Sequence, residues 1–160
     1  MKIQTLAGAL AATMLSASAT QAAEYTSILL ETEVAKPVAE TMKKVGGYCD
    51  IAAWMKTTCE YTSGSGEVGT VRRIANRIDE VLVAKTAYSY TYAQPLAPNQ
   101  YHGTVEFQPA KGGKATKIVY NLFYDLSTLA TPEAKAADKE RRTKSFQGVL
   151  ATMKTIAEAK

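Results

Sequence analysis

The apolar residues of this chain keep one period over a long central stretch and change it near residue 131. Between residues 68 and 126 they recur at every second position, as in Tyr88-Ser89-Tyr90-Thr91-Tyr92 and in the set Ile118, Tyr120, Leu122 and Tyr124. That spacing suits half-buried strands, because successive side chains of a strand point to opposite faces. After Thr131-Pro132-Glu133 the spacing turns helical, with Phe146, Val149, Leu150, Met153, Ile156 and Ala157 at i, i+3, i+4 and i+7. A run of strands followed by one long amphipathic helix has few solutions. The helix has to lay its stripe on one face of the sheet.

The rest of the chain fits that plan. Residues 25–34 read as a first strand. Pro37 opens a helix through Val38, Met42 and Val45, which Gly46-Gly47 stops. A second short helix is predicted at 48–54. Further strands are predicted at 56–61, 68–75, 79–86, 87–93, 101–108 and 116–126, with turns rich in Gly and Asn between them. Thr131 caps the last helix, which runs to about Glu158. The fold class is therefore α+β, a curved antiparallel sheet wrapped around a long C-terminal helix, with two short helices after the first strand.

A length of 160 residues fits one domain after removal of a leader. Residues 1–22 are predicted to be a signal peptide. Met1-Lys2 supplies a positive start, an uncharged apolar stretch follows to Leu15, and small residues such as Ser16-Ala17-Ser18-Ala19 and Ala22-Ala23 offer cleavage sites. The stretch is shorter than the roughly 20 residues a membrane helix needs, so no stable membrane insertion is expected. Residues 23–160 then form the domain, in a secreted or periplasmic setting. In that oxidising setting Cys49 and Cys59 are expected to pair, with two buried thiols as the alternative.

Several function classes fall away. The 19 Lys and Arg against 15 Asp and Glu are spread along the chain. The one dense run, Lys139-Glu140-Arg141-Arg142-Thr143-Lys144, reads as a solvated helix face rather than a nucleic-acid site. No zinc-ligand spacing surrounds the cysteines, and no cofactor or metal is expected. Gly64, Gly66 and Gly69 join two strands with no helix after them, which fails the context of a dinucleotide loop. The lone His102 alternates with Tyr101 and should point outward.

Strand parity turns Tyr88, Tyr90 and Tyr92 to one face, and likewise Tyr101, Gly103, Val105 and Phe107. Several tyrosines converging where Gly103 leaves room read as a cavity with polar handles. A filled, tyrosine-rich core is the alternative. Arg72 shares a face with Thr70 and Ile74, and Glu80 with Leu82 and Ala84. These two charges either pair across adjacent strands or line the cavity and orient a ligand carboxylate or hydroxyl. Phe146, Val149, Leu150 and Met153 should close the space from the helix side.

The string Val68-Gly69-Thr70-Val71-Arg72-Arg73-Ile74, then Asp79-Glu80-Val81-Leu82, Tyr88-Ser89-Tyr90, Pro95-Leu96 and Asn99-Gln100-Tyr101, resembles the SRPBCC superfamily of START-like proteins. It is most similar to the polyketide cyclase/dehydrase-like branch, which also holds the plant abscisic-acid receptors. Pro37 to Val45 followed by Trp54 fits the same pattern. The resemblance implies a helix-grip fold with a deep cavity between sheet and C-terminal helix, lined at the positions of Arg72, Glu80, Tyr101 and Tyr120. One departure is plain. The loop that gates the hormone receptors is reduced here to about Ala75-Asn76-Arg77, which speaks against a receptor-style lid.

The expected function is an exported binding or carrier protein for a small hydrophobic molecule, aromatic, polyketide-like or lipid-like. Arg72, Glu80, Tyr88, Tyr90, Tyr101, Tyr120, Phe146, Val149 and Met153 are the expected ligand contacts. The alternative is a cyclase- or dehydratase-type enzyme, with Glu80 as general base and pocket tyrosines stabilising an oxyanion. A structural protein with a filled interior is the third reading.

Overall fold

A computed structural model describes residues 22–160. The predicted leader lies outside the described residues, apart from Ala22. The elements run β1 (Tyr25–Val34), α1 (Val38–Val45), α2 (Ile51–Trp54), β2 (Cys59–Ser63), β3 (Val71–Ile74), β4 (Ile78–Lys85), β5 (Ser89–Ala93), β6 (His102–Ala110), β7 (Ala115–Asp125) and α3 (Pro132–Glu158). The seven strands form one sheet in the order β1-β7-β6-β5-β4-β3-β2, every neighbouring pair antiparallel. The chain leaves β1 at one edge, crosses through α1 and α2 to the other edge, and meanders back to pair β7 with β1. This is the helix-grip arrangement.

Alternation becomes burial where the ladders are regular. In β6, Gly103, Val105 and Phe107 are buried while His102, Thr104 and Glu106 are only partly so. In β7, Ile118, Tyr120, Leu122 and Tyr124 are buried on the same face, with Lys117, Val119, Asn121 and Phe123 turned the other way. The second half of α3 lies on this inner face, burying Val149, Leu150, Met153 and Ala157. Thr131 Oγ1 accepts a hydrogen bond from the Ala134 N–H at 3.2 Å, and Pro132 follows in the first turn, where its missing N–H costs nothing.

Cys49 and Cys59 form a disulfide with Cα atoms 5.5 Å apart, tying the turn before α2 to the start of β2. The predicted 68–75 strand shortens to Val71–Ile74, because Gly66 and Gly69 hold positive φ and continue the turn. The β3–β4 link is as tight as its length requires. Ala75 and Asn76 both sit at positive φ, and the Arg77 N–H donates to the Ile74 carbonyl at 3.1 Å. Tyr88 departs from its predicted inward position. It lies in the bend that closes the β4–β5 hairpin, before β5 begins at Ser89, and is 54% exposed.

Candidate functional site

Register brings the two strand charges together. Arg72 of β3 and Glu80 of β4 are direct cross-strand partners on the inner face, and both are buried. Arg72 Nε and Nη2 donate to Glu80 Oε2 at 2.8 and 2.5 Å, and Nη1 donates to the Tyr48 carbonyl. Glu80 Oε1 accepts from Gln94 Nε2 at 2.8 Å. The guanidinium also lies 4.0 Å from the centroid of the Tyr48 ring and 4.9 Å from that of Tyr92. One position further out, Arg73 and Asp79 make the equivalent pair on the opposite face. Of the two readings for Arg72 and Glu80, the structure shows the cross-strand pair.

Next to this pair stands a cluster of phenols. Tyr92 is the register partner of Gly103, and its ring covers the glycine so closely that a Cβ there would meet the Tyr92 hydroxyl at 2.3 Å. The room that Gly103 leaves is thus taken by Tyr92. The Tyr92 and Tyr120 hydroxyls hydrogen-bond to each other at 2.8 Å. Tyr101 packs against Tyr92 and Tyr124, and Tyr120 meets Trp54 and Phe146 edge-on. Burial raises the phenol pKa of Tyr92, Tyr101 and Tyr120, so each is a neutral hydroxyl at ordinary pH.

These groups border a cleft of about 320 Å³ under the first half of α3. Ile51, Met55, Ile74, Ile78 and Phe146 supply its apolar wall. Tyr92, Tyr101 and Tyr120 supply hydroxyls, and Glu80 and Gln94 add a polar flank. Arg141 and Arg142 form the lip on the helix side. The Arg142 guanidinium sits 4.5 Å from the Tyr124 ring centroid and 5.3 Å from that of Tyr101. Asp138 accepts from Arg142 Nε at 2.7 Å and also pairs with Arg141.

Of the predicted contacts, Glu80, Tyr101, Tyr120 and Phe146 meet in this cleft. Arg72 stands behind Glu80 rather than on the surface of the cleft. Tyr90 lies beyond Arg72, edge-on to Tyr48, and borders a separate hollow of about 240 Å³ with Tyr61 and Lys85. Val149 and Met153 are buried in the helix–sheet core, away from the cleft lining, and Tyr88 is exposed in its bend. Sequence reasoning missed Gln94, Arg141 and Arg142. Arg142 was legible: it precedes Phe146 by four residues, Val149 by seven and Met153 by eleven, so it heads the same helical stripe. The basic run there is not wholly solvated. Among the described residues no cluster of three or more His, Cys, Asp or Glu is placed to hold a metal, and no helix is long and apolar enough to cross a membrane.

The profile of a family described as polyketide cyclase/dehydrase and lipid transport matches residues 25–158. No curated protein sequence matches the chain. A solved structure from Nitrosospira multiformis superposes with a TM-score of 0.65 at 17% identity, covering 81% of this chain and 94% of that one. Ara h 8.0201 superposes with a TM-score of 0.61 at 16% identity, covering 84% and 98%. The di-domain ARO/CYC protein BexL, from the BE-7585A biosynthetic pathway, gives 0.64 at 16% identity, covering 85% of this chain and 51% of that one. At these identities the structures establish the common fold.

Proposed function

This chain belongs to the polyketide cyclase/dehydrase and lipid transport family, and from that premise we propose that it is an exported carrier for a small hydrophobic molecule, aromatic or polyketide-like. The cleft under α3 carries this reading. Its wall is apolar, and its hydroxyls come from tyrosines fixed by packing. An apolar pocket with a few oriented polar groups is the common form of a small-molecule site. Its volume of about 320 Å³ suits a molecule of two or three fused rings or a short acyl chain. The disulfide is in keeping with an oxidising destination.

The same geometry weighs against catalysis by Glu80. A general base must be free to take a proton from a substrate. Glu80 already accepts two N–H groups of Arg72 on one oxygen and the Gln94 amide on the other. Tyr101, held neutral by burial, can donate to a ligand oxygen, whereas one of Tyr92 and Tyr120 already donates to the other.

Two measurements test the carrier reading. Native mass spectrometry of the protein from its own source should reveal a co-purified small molecule. Naphthol should quench Trp54 or tyrosine fluorescence saturably, and Tyr101→Phe should weaken that binding by about 0.5–1.5 kcal/mol, the net worth of one hydrogen bond. Absence of both a bound molecule and a saturable response would refute it.

A further inference from the structure

We infer that the molecule held in this cleft is an organic acid, with its carboxylate at the helix-side lip against Arg141 and Arg142. This rests on the carrier reading and specifies its ligand class. The charges around the cleft do not balance. The charged side chains lining the cleft are Glu80, Arg141 and Arg142. Glu80 is neutralised inside the wall by Arg72, whose N–H groups are turned to Glu80 and the Tyr48 carbonyl. Arg72 therefore has no free edge for a ligand, although its position in the strand suggested that role. Arg141 and Arg142 share a single carboxylate, Asp138, and no other acid pairs with either among the described residues. Two guanidinium groups against one carboxylate leave the lip with one positive charge in excess.

The place of that charge matters as much as its sign. Arg142 is only 22% exposed and lies against the rings of Tyr124 and Tyr101. It is held in position before any ligand arrives, so little ordering entropy is lost on binding. A planar guanidinium suits a carboxylate, which it can meet with two parallel hydrogen bonds. The Tyr101 phenol lines the same cleft and is a neutral donor. From that lip to the wall of Ile51, Met55 and Ile74, the cleft passes from cationic to apolar. An acid with a hydrophobic body matches this gradient end to end.

The test compares three probes of one size: naphthoate, acetylnaphthalene and naphthylmethylamine. Naphthoate should bind about tenfold tighter than the neutral ketone, with the amine weakest. The preference should shrink as salt is raised. In Arg141→Gln/Arg142→Gln the ratio of naphthoate to ketone affinity should fall towards one. If that double variant does not fold, Arg141→Gln alone, at a side chain 65% exposed, and the salt dependence of the unmodified protein read the same ratio. Equal binding of naphthoate and ketone, or a preference that survives loss of the arginines, overturns the organic-acid inference and leaves the carrier standing. If none of the three probes binds, the carrier reading fails and takes this inference with it.

Discussion

Arg72 and Glu80 face each other across β3 and β4 as direct register partners, with two guanidinium nitrogens on one carboxylate oxygen at 2.8 and 2.5 Å. Their position divides the space gripped by the sheet. The open cleft with Tyr101, Tyr120 and Phe146 lies on one side, and the smaller hollow with Tyr48, Tyr61 and Tyr90 on the other. The pair is a partition as well as a contact.

Removing half of that partition should be costly. Glu80→Gln leaves a fully buried guanidinium without its counter-ion, and such changes cost about 3–5 kcal/mol. Urea denaturation should show this loss. Replacing both residues, as Arg72→Met/Glu80→Leu, should recover much of it, since no charge is then stranded. Wild-type stability in the single variant would mean that the pair is hydrated in solution.

The disulfide closes a short loop, and in the chain-entropy picture a loop of this length contributes about 3 kcal/mol. The denatured, unreduced protein should show no free thiol. Cys49→Ser/Cys59→Ser should lower the unfolding free energy by about that amount. Two titratable thiols would contradict the pairing.

Met153 and Phe146 sit on one stripe of α3 but in different surroundings. Met153 is fully buried and outside the cleft lining, so Met153→Ala should cost about 2–5 kcal/mol. Phe146 borders the open cleft, and its replacement by Ala should cost less stability than the 3–5 kcal/mol typical of a core Phe while weakening probe binding. Equal losses at both sites would show that the cleft is closed in solution.

Gly103→Ala puts a methyl group into the Tyr92 hydroxyl. The ring is enclosed and cannot swing away, so an overpacking cost of about 1–3 kcal/mol is expected, with loss of the Tyr92–Tyr120 hydrogen bond. A neutral outcome in thermal melts would mean that the β5–β6 ladder gives way instead.

Alkali should unfold the protein cooperatively. Burial raises the phenols of Tyr48, Tyr92, Tyr101 and Tyr120, and that of Tyr90 to about 12. A group that holds its proton more tightly when folded contributes stability that is complete below its unfolded pKa, about 10 for tyrosine. That contribution is lost as pH rises through the folded value, here between about 10 and 12 for Tyr90. Tyrosinate absorbance from the buried rings should therefore appear together with the loss of near-ultraviolet dichroism. Ionisation of these five buried rings near pH 10 with the dichroism intact would mean that they are wet.

The period change in the sequence was enough to place the sheet, the long helix and its Thr131 cap, because burial on one face imposes those periods. Parity also set Arg72, Glu80, Tyr90 and Tyr120 inward. It failed at Tyr88, since alternation guides only within a strand and Tyr88 lies in the hairpin bend at Ala87-Tyr88, just before β5. The division of the interior was not legible. Whether Tyr90 and Tyr101 share one space depends on Arg72 packing between them, which is a matter of three-dimensional contact. Gln94 gave no periodic signal, being just past the end of β5, whereas Arg142 did and was obscured by the charged run around it.

The two halves of α3 are held by different forces. Over 27 residues the helix extends about 40 Å, yet its fully buried apolar side chains all lie in its second half. The first half rests on polar contacts, Lys135 to Glu24 and Lys139 to Thr26, and on Arg142 over its rings. The helix is therefore continuous in geometry but not in thermodynamics. Amide hydrogens before Phe146 should exchange by local fraying, and those after it only when the whole domain unfolds. The hydrophilic half can then loosen while the greasy hinge behind it stays shut.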